Sequence, residues 1–294
     1  MTMNIVVDAA NTLGECVLWC ERIGRVLWTD IIEATLWTHV PATGVTERWP
    51  MPEPVASFAL TADDDVLLLG LATGLAWYRF SSAECTRIVD VEAHLPSTRL
   101  NDGRCDRQGR FVFGTFNGAS DPRHPIGSFY RLNRDLALER LPLQHTAIAN
   151  SICFSRDGAT MYYCDSQERV IRCCDYGDTL ANDRVFADLR GDPGEPDGST
   201  IDADDHLWNA YWGKGCIVRY RPDGSVERTV KLSAPQPTCV AFGGAAFDVL
   251  YATSARQWLS TAQLDVAPAS GALFSQPVDI CGLPEARFRG KSVA

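Results

Sequence analysis

Hydrophobic and polar positions along the chain follow a repeating pattern. A polar segment rich in Asp and Gly precedes a short run of Val, Leu, Trp, Tyr and Phe, and this unit occurs six times. The six runs open on hydrophobic residues separated by 40 to 50 positions: Val26, Val66, Phe111, Met161, Leu207 and Val249. Further strand-like runs lie before and after each of them, which predicts four short strands per repeat.

Four strands in a repeat of this length are typical of a β-propeller blade. The sequence therefore predicts an all-β protein, a six-bladed β-propeller that forms a single domain over residues 1–294. The chain lacks long amphipathic helical patterns, which excludes α/β barrels and Rossmann folds. An additional strand at the N-terminus, MNIVVDA, is expected to pair into the last blade and close the ring, because closure removes an exposed sheet edge.

One position of the repeat carries polar residues in four of the six copies. Ten or eleven residues before the hydrophobic run stand Glu15, Asn101, Asn150 and Asp197, whereas the second and sixth copies have Ala56 and Cys239 there. Equivalent positions of the innermost strands lie at one end of a propeller channel. The four polar side chains are therefore expected to converge near the axis.

Carboxylate and amide oxygens are ligands for a hard divalent cation such as Ca²⁺, Mg²⁺ or Mn²⁺. So few protein ligands would leave positions on the ion for water and substrate. An alternative interpretation is that Asn, Asp and Gly only form turns here, as they are expected to do at Asp157–Gly158 and Asp223–Gly224. That interpretation explains Glu15 poorly, because Glu is a weak turn former.

Composition restricts the partners and the compartment. The net charge of −10 and the lack of a basic cluster argue against nucleic acid as a partner. No run is long and apolar enough to cross a membrane and no export signal is recognisable, so we expect a cytoplasmic protein, a monomer or a small homo-oligomer. The eleven cysteines lack metal-ligand spacing and are expected to be reduced core thiols. The C-terminal RFRGKSVA is expected to be a solvated tail.

Several ordered motifs resemble the SMP-30/gluconolactonase family, which includes regucalcin and bacterial sugar lactonases. They are LGE at 13–15, RLNDGRCDRQGRFVFGT at 99–115, NSICFSRDGATMYYCDS at 150–166 and PDGSTIDADDHLWNAYWGKGCIVRYRPDG at 196–224. The resemblance runs along nearly the whole chain. It implies a six-bladed propeller with one divalent metal ion in the channel, and an activity that hydrolyses aldonolactones.

The resemblance also implies individual roles. Glu15, Asn150 and Asp197 would be the metal ligands, and Arg99 and Asn101 would contact the substrate. The metal varies in the family, so Zn²⁺ and Fe²⁺ are further candidates. One departure concerns the segment after Gly114–Thr115, where regucalcin-like members carry acidic residues and this chain has Phe116, Asn117 and Gly118. This departure predicts an altered sugar preference.

These residues predict metal-dependent hydrolysis of a pentono- or hexonolactone to its aldonic acid. Asp197 is the candidate general base as well as a ligand, and Arg99 would grip sugar hydroxyls or the ring oxygen. Trp212 is a further candidate for facing the sugar. Two alternatives are a calcium-binding scaffold without turnover and a hydrolase of other esters or organophosphates, the latter expected to have a more apolar pocket.

Overall fold

Six antiparallel four-stranded sheets surround a central channel, which confirms the predicted six-bladed β-propeller. The structure is a computed structural model and describes residues 2–119 and 123–291. The first strand of each sheet packs against the first strands of the two neighbouring sheets, so these six strands line the channel. The order of strands in five of the sheets follows the chain outward from the axis, and in the sixth the outermost strand comes from the N-terminal part of the chain.

The four strands of each blade run from the channel outward. Blades 1 and 2 are β2 (Gly14–Cys20), β3 (Arg25–Asp30), β4 (Thr35–Val40), β5 (Val45–Pro50) and β6 (Val55–Leu60), β7 (Val66–Leu71), β8 (Gly74–Arg79), β9 (Glu84–Asp90). Blades 3 and 4 are β10 (Thr98–Cys105), β11 (Phe111–Asn117), β12 (Phe129–Leu132), β13 (Leu138–Arg140) and β14 (Ala149–Phe154), β15 (Thr160–Asp165), β16 (Val170–Asp175), β17 (Ala181–Asp188). Blades 5 and 6 are β18 (Glu195–Ile201), β19 (Leu207–Trp212), β20 (Cys216–Tyr220), β21 (Val226–Lys231) and β22 (Pro237–Gly243), β23 (Val249–Ser254), β24 (Leu273–Pro277), β1 (Asn4–Val7).

Helical structure is limited to a 3₁₀ turn at Ser166–Glu168 and the helix α1 at Thr261–Val266 within the part of the chain that the structure describes. Ser260 begins α1 with a capping box to Gln263. Neither segment has the length or the apolar character that crossing a bilayer requires.

Burial decreases from the channel to the rim of each blade. Every residue of β6 is buried, whereas five of the six residues of β5 are exposed. The outer strands carry charged residues, as in VTERWP of β5 and VERTVK of β21. Charges on an edge strand prevent pairing with other chains, which is why the outermost positions can be polar without weakening the core.

Hydrophobic cores lie between blades and not within them. Each of the six contacts between neighbouring sheets contains its own cluster of buried side chains. Between blades 6 and 1, for example, Trp19 stacks on Tyr251 with ring centroids 6.1 Å apart. The hydrophobic runs seen in the sequence follow from this arrangement, since both faces of a sheet contribute to a core.

The N-terminal strand closes the ring as predicted. β1 pairs antiparallel with β24, with Asn4 opposite Ser275 and Ile5 opposite Phe274. The last blade is therefore built from both ends of the described chain.

The prediction of a solvated C-terminal tail is wrong for its described part. Phe288 is 1% exposed and packs on Trp77, with ring centroids 5.6 Å apart. Arg287 forms an ion pair with Asp64 at 2.8 Å. Residues 292–294 of the predicted tail lie outside the described residues.

Candidate active site

Each of the six innermost strands contains a β-bulge at the same height. The register with the second strand shifts after Glu15, Val55, Leu100, Asn150, Pro196 and Pro237, in that order around the ring. A bulge turns a side chain away from the regular pleat and is frequent next to active sites. The repeat position that carries polar residues in the sequence therefore corresponds to a β-bulge in all six blades.

Two of these bulges hold a non-glycine residue in the left-handed region. Cys16 follows Glu15 with φ of 50°, and Ser151 follows Asn150 with φ of 60°. Such conformations cost about 1–3 kcal/mol and persist where the surrounding structure fixes them. The left-handed backbone at Cys16 and Ser151 turns the preceding Glu15 and Asn150 side chains toward the channel end.

The segment Asn101–Asp102–Gly103 is one of the bulges and not a turn before the strand. It lies inside β10, where Asp102 Oδ2 accepts a hydrogen bond from the backbone N–H of Ile152 in blade 4 at 2.7 Å. A side chain on Gly103 would lie within 3 Å of Phe111, Phe113 and Ser57, so the close packing requires glycine. The alternative interpretation, in which Asn, Asp and Gly only form a turn at this position, therefore does not hold for this segment.

All five predicted site residues line one cavity at this end of the channel. They are Glu15, Arg99, Asn101, Asn150 and Asp197. Asp197, Asn150 and Asn101 are 6%, 5% and 7% exposed. Side chains from four different blades thus meet in a single cavity.

The two predicted carboxylate ligands have raised pKa values. Burial, followed by the nearby charge of Asp102, raises the pKa of Glu15 to about 8. Burial and then the charge of Glu15 raise the pKa of Asp197 well above its usual value. Burial also raises the pKa of Asp102 to about 6. Acids that face each other in a cleft, with shifted pKa values, indicate a functional site.

Hydrogen bonds join the polar residues of blades 3 and 4. Arg99 Nη1 donates to Asn101 Oδ1 and to the Leu100 carbonyl, both at 2.7 Å. Asn101 Nδ2 in turn donates to Asn150 Oδ1 at 2.9 Å and to the Ala149 carbonyl at 2.8 Å. Within the described ranges Arg99 Nε and Nη2 have no hydrogen-bond partner, so they can donate into the cavity.

The donor set fits a divalent cation. Asp197 Oδ1 is buried and has no hydrogen-bond partner among residues 2–119 and 123–291. Asn150 Oδ1 accepts one hydrogen bond and keeps a second lone pair. The same ranges contain no group of three or more His, Cys, Asp and Glu side chains that could hold a metal ion by themselves. A cation here would therefore have two carboxylates and one amide as its protein ligands, a set that suits hard ions.

Aromatic and cationic side chains alternate across the rim of the cavity. The Arg99 guanidinium lies 4.3 Å from the centre of the Phe116 ring, and Arg123 lies 5.0 Å from the same ring. Arg123 also lies 5.5 Å from the ring of Trp258, which packs edge-on against Trp212 at 5.8 Å. Trp258 is 66% exposed and has φ of 63°, which is unusual for a bulky residue.

Several lining residues were not found from the sequence, chiefly Ser166, Glu195 and Trp258. Ser166 follows the hydrophobic run of the fourth repeat, so alignment of the residues after each run was a usable signal. Glu195 was hidden because it precedes Asp197 in a Pro- and Gly-rich segment. Trp258 lies in a connection outside the repeat, where periodicity carries no information.

Comparison with known proteins identifies the family. The family model described as the SMP-30/gluconolactonase/LRE-like region matches residues 13–256. An L-arabinolactonase of Azospirillum brasilense is 49% identical over 289 residues, which cover 97% of this chain and 95% of that protein. A 6-deoxy-6-sulfogluconolactonase of Pseudomonas putida is 30% identical over 306 residues, covering 98% and 99% of the two chains.

The fold has a close counterpart among solved structures. The crystal structure of a calcium-binding protein, regucalcin, from Agrobacterium tumefaciens superimposes with a TM-score of 0.93 at 28% identity and covers 98% of both chains. The matched family region begins at Leu13 and so includes all five predicted site residues. The chain belongs to the SMP-30/gluconolactonase family.

Proposed function

We propose that the protein hydrolyses a five-carbon sugar lactone to its aldonic acid, with one divalent cation held by Glu15, Asn150 and Asp197. The relatives named as lactonases support the coarser statement that the chain is a lactonase. The L-arabinolactonase, at 49% identity, supports a pentonolactone over a hexonolactone. The observation that carries the cation is the buried Asp197 Oδ1, an acceptor without a partner in the described chain.

Lactone hydrolysis adds water to a carbonyl carbon and breaks the bond to the ring oxygen. The products are a carboxylic acid and a hydroxyl on one open chain. A bound cation supplies Lewis-acid polarisation of the carbonyl and stabilises the negative charge that develops on its oxygen. The protein must in addition remove a proton from the water and deliver one to the leaving oxygen.

Asp197 is the proposed acceptor of the water proton. Its carboxylate has two oxygens and about four acceptor positions, so one oxygen can bind the cation and the other can take the proton. The proton taken up by Asp197 is then returned to the leaving ring oxygen. Arg99 is proposed to stabilise that oxygen, because its Nε and Nη2 have no partner in the described chain and can donate into the cavity. Asn101 holds the Arg99 guanidinium in place through Oδ1.

The apolar part of the cavity is proposed to pack against the C–H face of the sugar ring. Phe116, Trp212 and Trp258 all line the cavity, and aromatic rings bind the apolar faces of sugars while leaving hydroxyls for polar groups. The same apolar lining also favours a second candidate, hydrolysis of aryl esters or organophosphates. The similarity to the calcium-binding regucalcin of Agrobacterium tumefaciens supports Ca²⁺ as the cation.

A substrate panel tests the proposal. L-arabinono-, D-xylono-, D-galactono- and D-gluconolactone, an aryl ester and a phosphotriester are each assayed by pH-indicator detection of released acid. The protein is assayed after EDTA treatment and after addition of single ions: Ca²⁺, Mg²⁺, Mn²⁺, Zn²⁺ and Fe²⁺.

We expect kcat/KM to be highest for L-arabinonolactone, to fall at least about tenfold after EDTA, and to return with a subset of the ions. A rate unaffected by EDTA would contradict the cation mechanism. Preference for the aryl ester or phosphotriester would support the second candidate, and cation binding without any turnover would support a calcium-binding scaffold.

A further inference from the structure

An amide ligand has a problem of orientation that a carboxylate lacks. Asn150 carries an oxygen and an NH₂ group of nearly the same shape, and only the oxygen can bind a cation. The two oxygens of Glu15 are equivalent, so rotation of its carboxylate changes nothing. Something in the protein must hold the Asn150 amide with Oδ1 toward the cation position.

The Ser166 hydroxyl accepts a hydrogen bond from the NH₂ group of the Asn150 amide. Asn150 Nδ2 donates to Ser166 Oγ at 2.9 Å, and the Ser166 hydroxyl donates its own proton to the Pro196 carbonyl at 2.7 Å. Because that proton is committed to the carbonyl, Ser166 presents only lone pairs to Asn150. A flipped amide would place an oxygen against those lone pairs and an NH₂ group against Asn101 Nδ2, so both contacts would be repulsive.

The backbone fixes Ser166 itself. The side chain is buried, with the residue 3% exposed, and its N–H donates to the Ile148 carbonyl at 3.0 Å. The preceding Asp165 accepts hydrogen bonds from the N–H groups of Ala147 at 2.6 Å and Ile148 at 3.1 Å. The hydroxyl is thus held rigidly to the strand that carries Asn150.

Blade 1 contains the same backbone arrangement with a different residue at this position. Asp30 accepts from the N–H groups of Thr12 at 2.7 Å and Leu13 at 3.1 Å, just as Asp165 does in blade 4. Ile31 N–H donates to the Leu13 carbonyl at 3.0 Å, as Ser166 does to Ile148. The ligand there is Glu15, and the position of Ser166 is occupied by an isoleucine. A hydroxyl is present in the blade whose ligand needs orienting and absent in the blade whose ligand does not.

We propose that Ser166 is a positioning residue that holds Asn150 with its oxygen toward the cation. The inference rests on the proposed cation site and adds a residue that acts on the ion through the Asn150 amide. Residues that orient metal ligands typically change metal affinity 10–100-fold when they are removed.

Calorimetric titration of the EDTA-treated protein with Mn²⁺ and with Ca²⁺ tests the proposal. The variants are Ser166→Ala in the wild-type background and Ser166→Ala in an Asn150→Asp background. Ser155→Ala is the matched control. Ser155 is a buried, hydrogen-bonded serine that directly follows β14, the inner strand that carries Asn150, and it lies away from the cavity. In the aspartate background both ends of the ligand are oxygen, so orientation no longer matters.

We expect Ser166→Ala to weaken the cation Kd about tenfold in the wild-type background and less than about twofold in the Asn150→Asp background. Equal losses in both backgrounds, or a loss with Ser155→Ala of the same size, would show a general packing effect and overturn the proposal. An unchanged Kd for Ser166→Ala would overturn it as well. If the wild-type protein binds neither of these ions, nor Mg²⁺, Zn²⁺ or Fe²⁺ in the same titration, the cation part of the proposed function is wrong and the role of Ser166 is overturned with it.

Discussion

The two ends of the channel bury charged groups in opposite ways. At the cavity end, Glu15 and Asp197 face each other and their pKa values are raised. At the opposite end, here called the closed end, Arg104 Nη1 lies 3.2 Å from Glu285 Oε1, and both side chains are about one-tenth exposed. Burial opposes the charge on Arg104, but the Glu285 carboxylate raises its pKa.

The same six inner strands run from one end to the other, so burial alone does not explain the difference. What differs is whether the chain places an oppositely charged side chain beside the buried charged group. The segment from Gly282 to Arg289 crosses the closed end, where Gly282 bridges to Asp202 and Arg289 donates its N–H to the Gly109 carbonyl. The closed end supplies its own counter-charge, whereas we propose that the cavity end is completed by a cation from solution. This contrast separates a structural ion pair from a functional site.

Removing the Asp197 carboxylate at the cavity end should have the largest effect on activity. Asp197→Ala is expected to lower kcat/KM for the preferred lactone by on the order of 10⁴-fold, because it removes a cation ligand and the proposed base together. The thermal midpoint of the metal-free protein should not fall. Asp223→Asn, an exposed hairpin residue of the same blade, is the control and should keep wild-type kinetics. A variant at position 197 with near wild-type turnover would contradict the proposed mechanism.

Removing the carboxylate at the closed end should act on stability alone. Glu285→Gln leaves the Arg104 guanidinium buried without an anion, and we expect a loss of about 3–5 kcal/mol in the free energy of unfolding, measured with urea. The double variant Arg104→Met/Glu285→Gln should recover most of that loss. Lactone kcat/KM per folded molecule should be unchanged. A loss below about 1 kcal/mol would show that this end is not held by the ion pair.

The buried acids at the cavity end should make the metal-free protein less stable as the pH rises. The folded pKa of Glu15 lies above its usual 4.5, at about 8, so the folded state binds more protons than the unfolded state between these values. The free energy of unfolding is therefore expected to fall by about 3–4 kcal/mol from about pH 5 to pH 8. The variants Glu15→Gln and Asp197→Asn should flatten this slope, as should a saturating cation in the wild-type protein. A slope of the opposite sign would contradict the electrostatic picture.

The smallest expected effect concerns the rim. Trp258→Ala is expected to raise KM for the lactone about fivefold with kcat nearly unchanged, because ring packing contributes about 0.5–1.5 kcal/mol to binding. Trp258→Phe should retain most of the affinity. The matched aromatic at the closed end is Phe288, and Phe288→Ala should lower the unfolding free energy without changing KM. A kcat effect at Trp258 larger than the KM effect would place this residue closer to the chemistry than we propose.

The predictability of the molecule from its sequence depended on whether a feature repeats. The blades repeat, so the spacing of six hydrophobic runs predicted the propeller, and phase within the repeat predicted that Glu15 and Asp197 meet across 182 residues (197 minus 15). The resemblance to a family assigned ligand and substrate roles that phase alone left open. Those assignments remain predictions until the variants are measured.

Features that break the repeat could not be predicted in the same way. The C-terminal segment was expected to be solvated because RFRGKSVA is polar and lacks alternation, yet Phe288 supplies a core residue between blades 2 and 3. Trp258 reaches the cavity from an irregular connection. The orientation of the Asn150 amide depends on a hydroxyl 16 residues away, and no local pattern indicates such a contact.

Closure of the ring by β1 has a consequence for the order in which the protein becomes active during synthesis. Glu15 leaves the ribosome before the other proposed ligands, but the strand that β1 pairs with ends at Pro277. Sheets of the intermediate blades can form as they emerge, whereas the cavity wall between blades 1 and 5 requires the last blade to be in place. A nascent chain stalled before residue 273 would thus contain every proposed ligand and still be unable to bring Glu15 and Asp197 together.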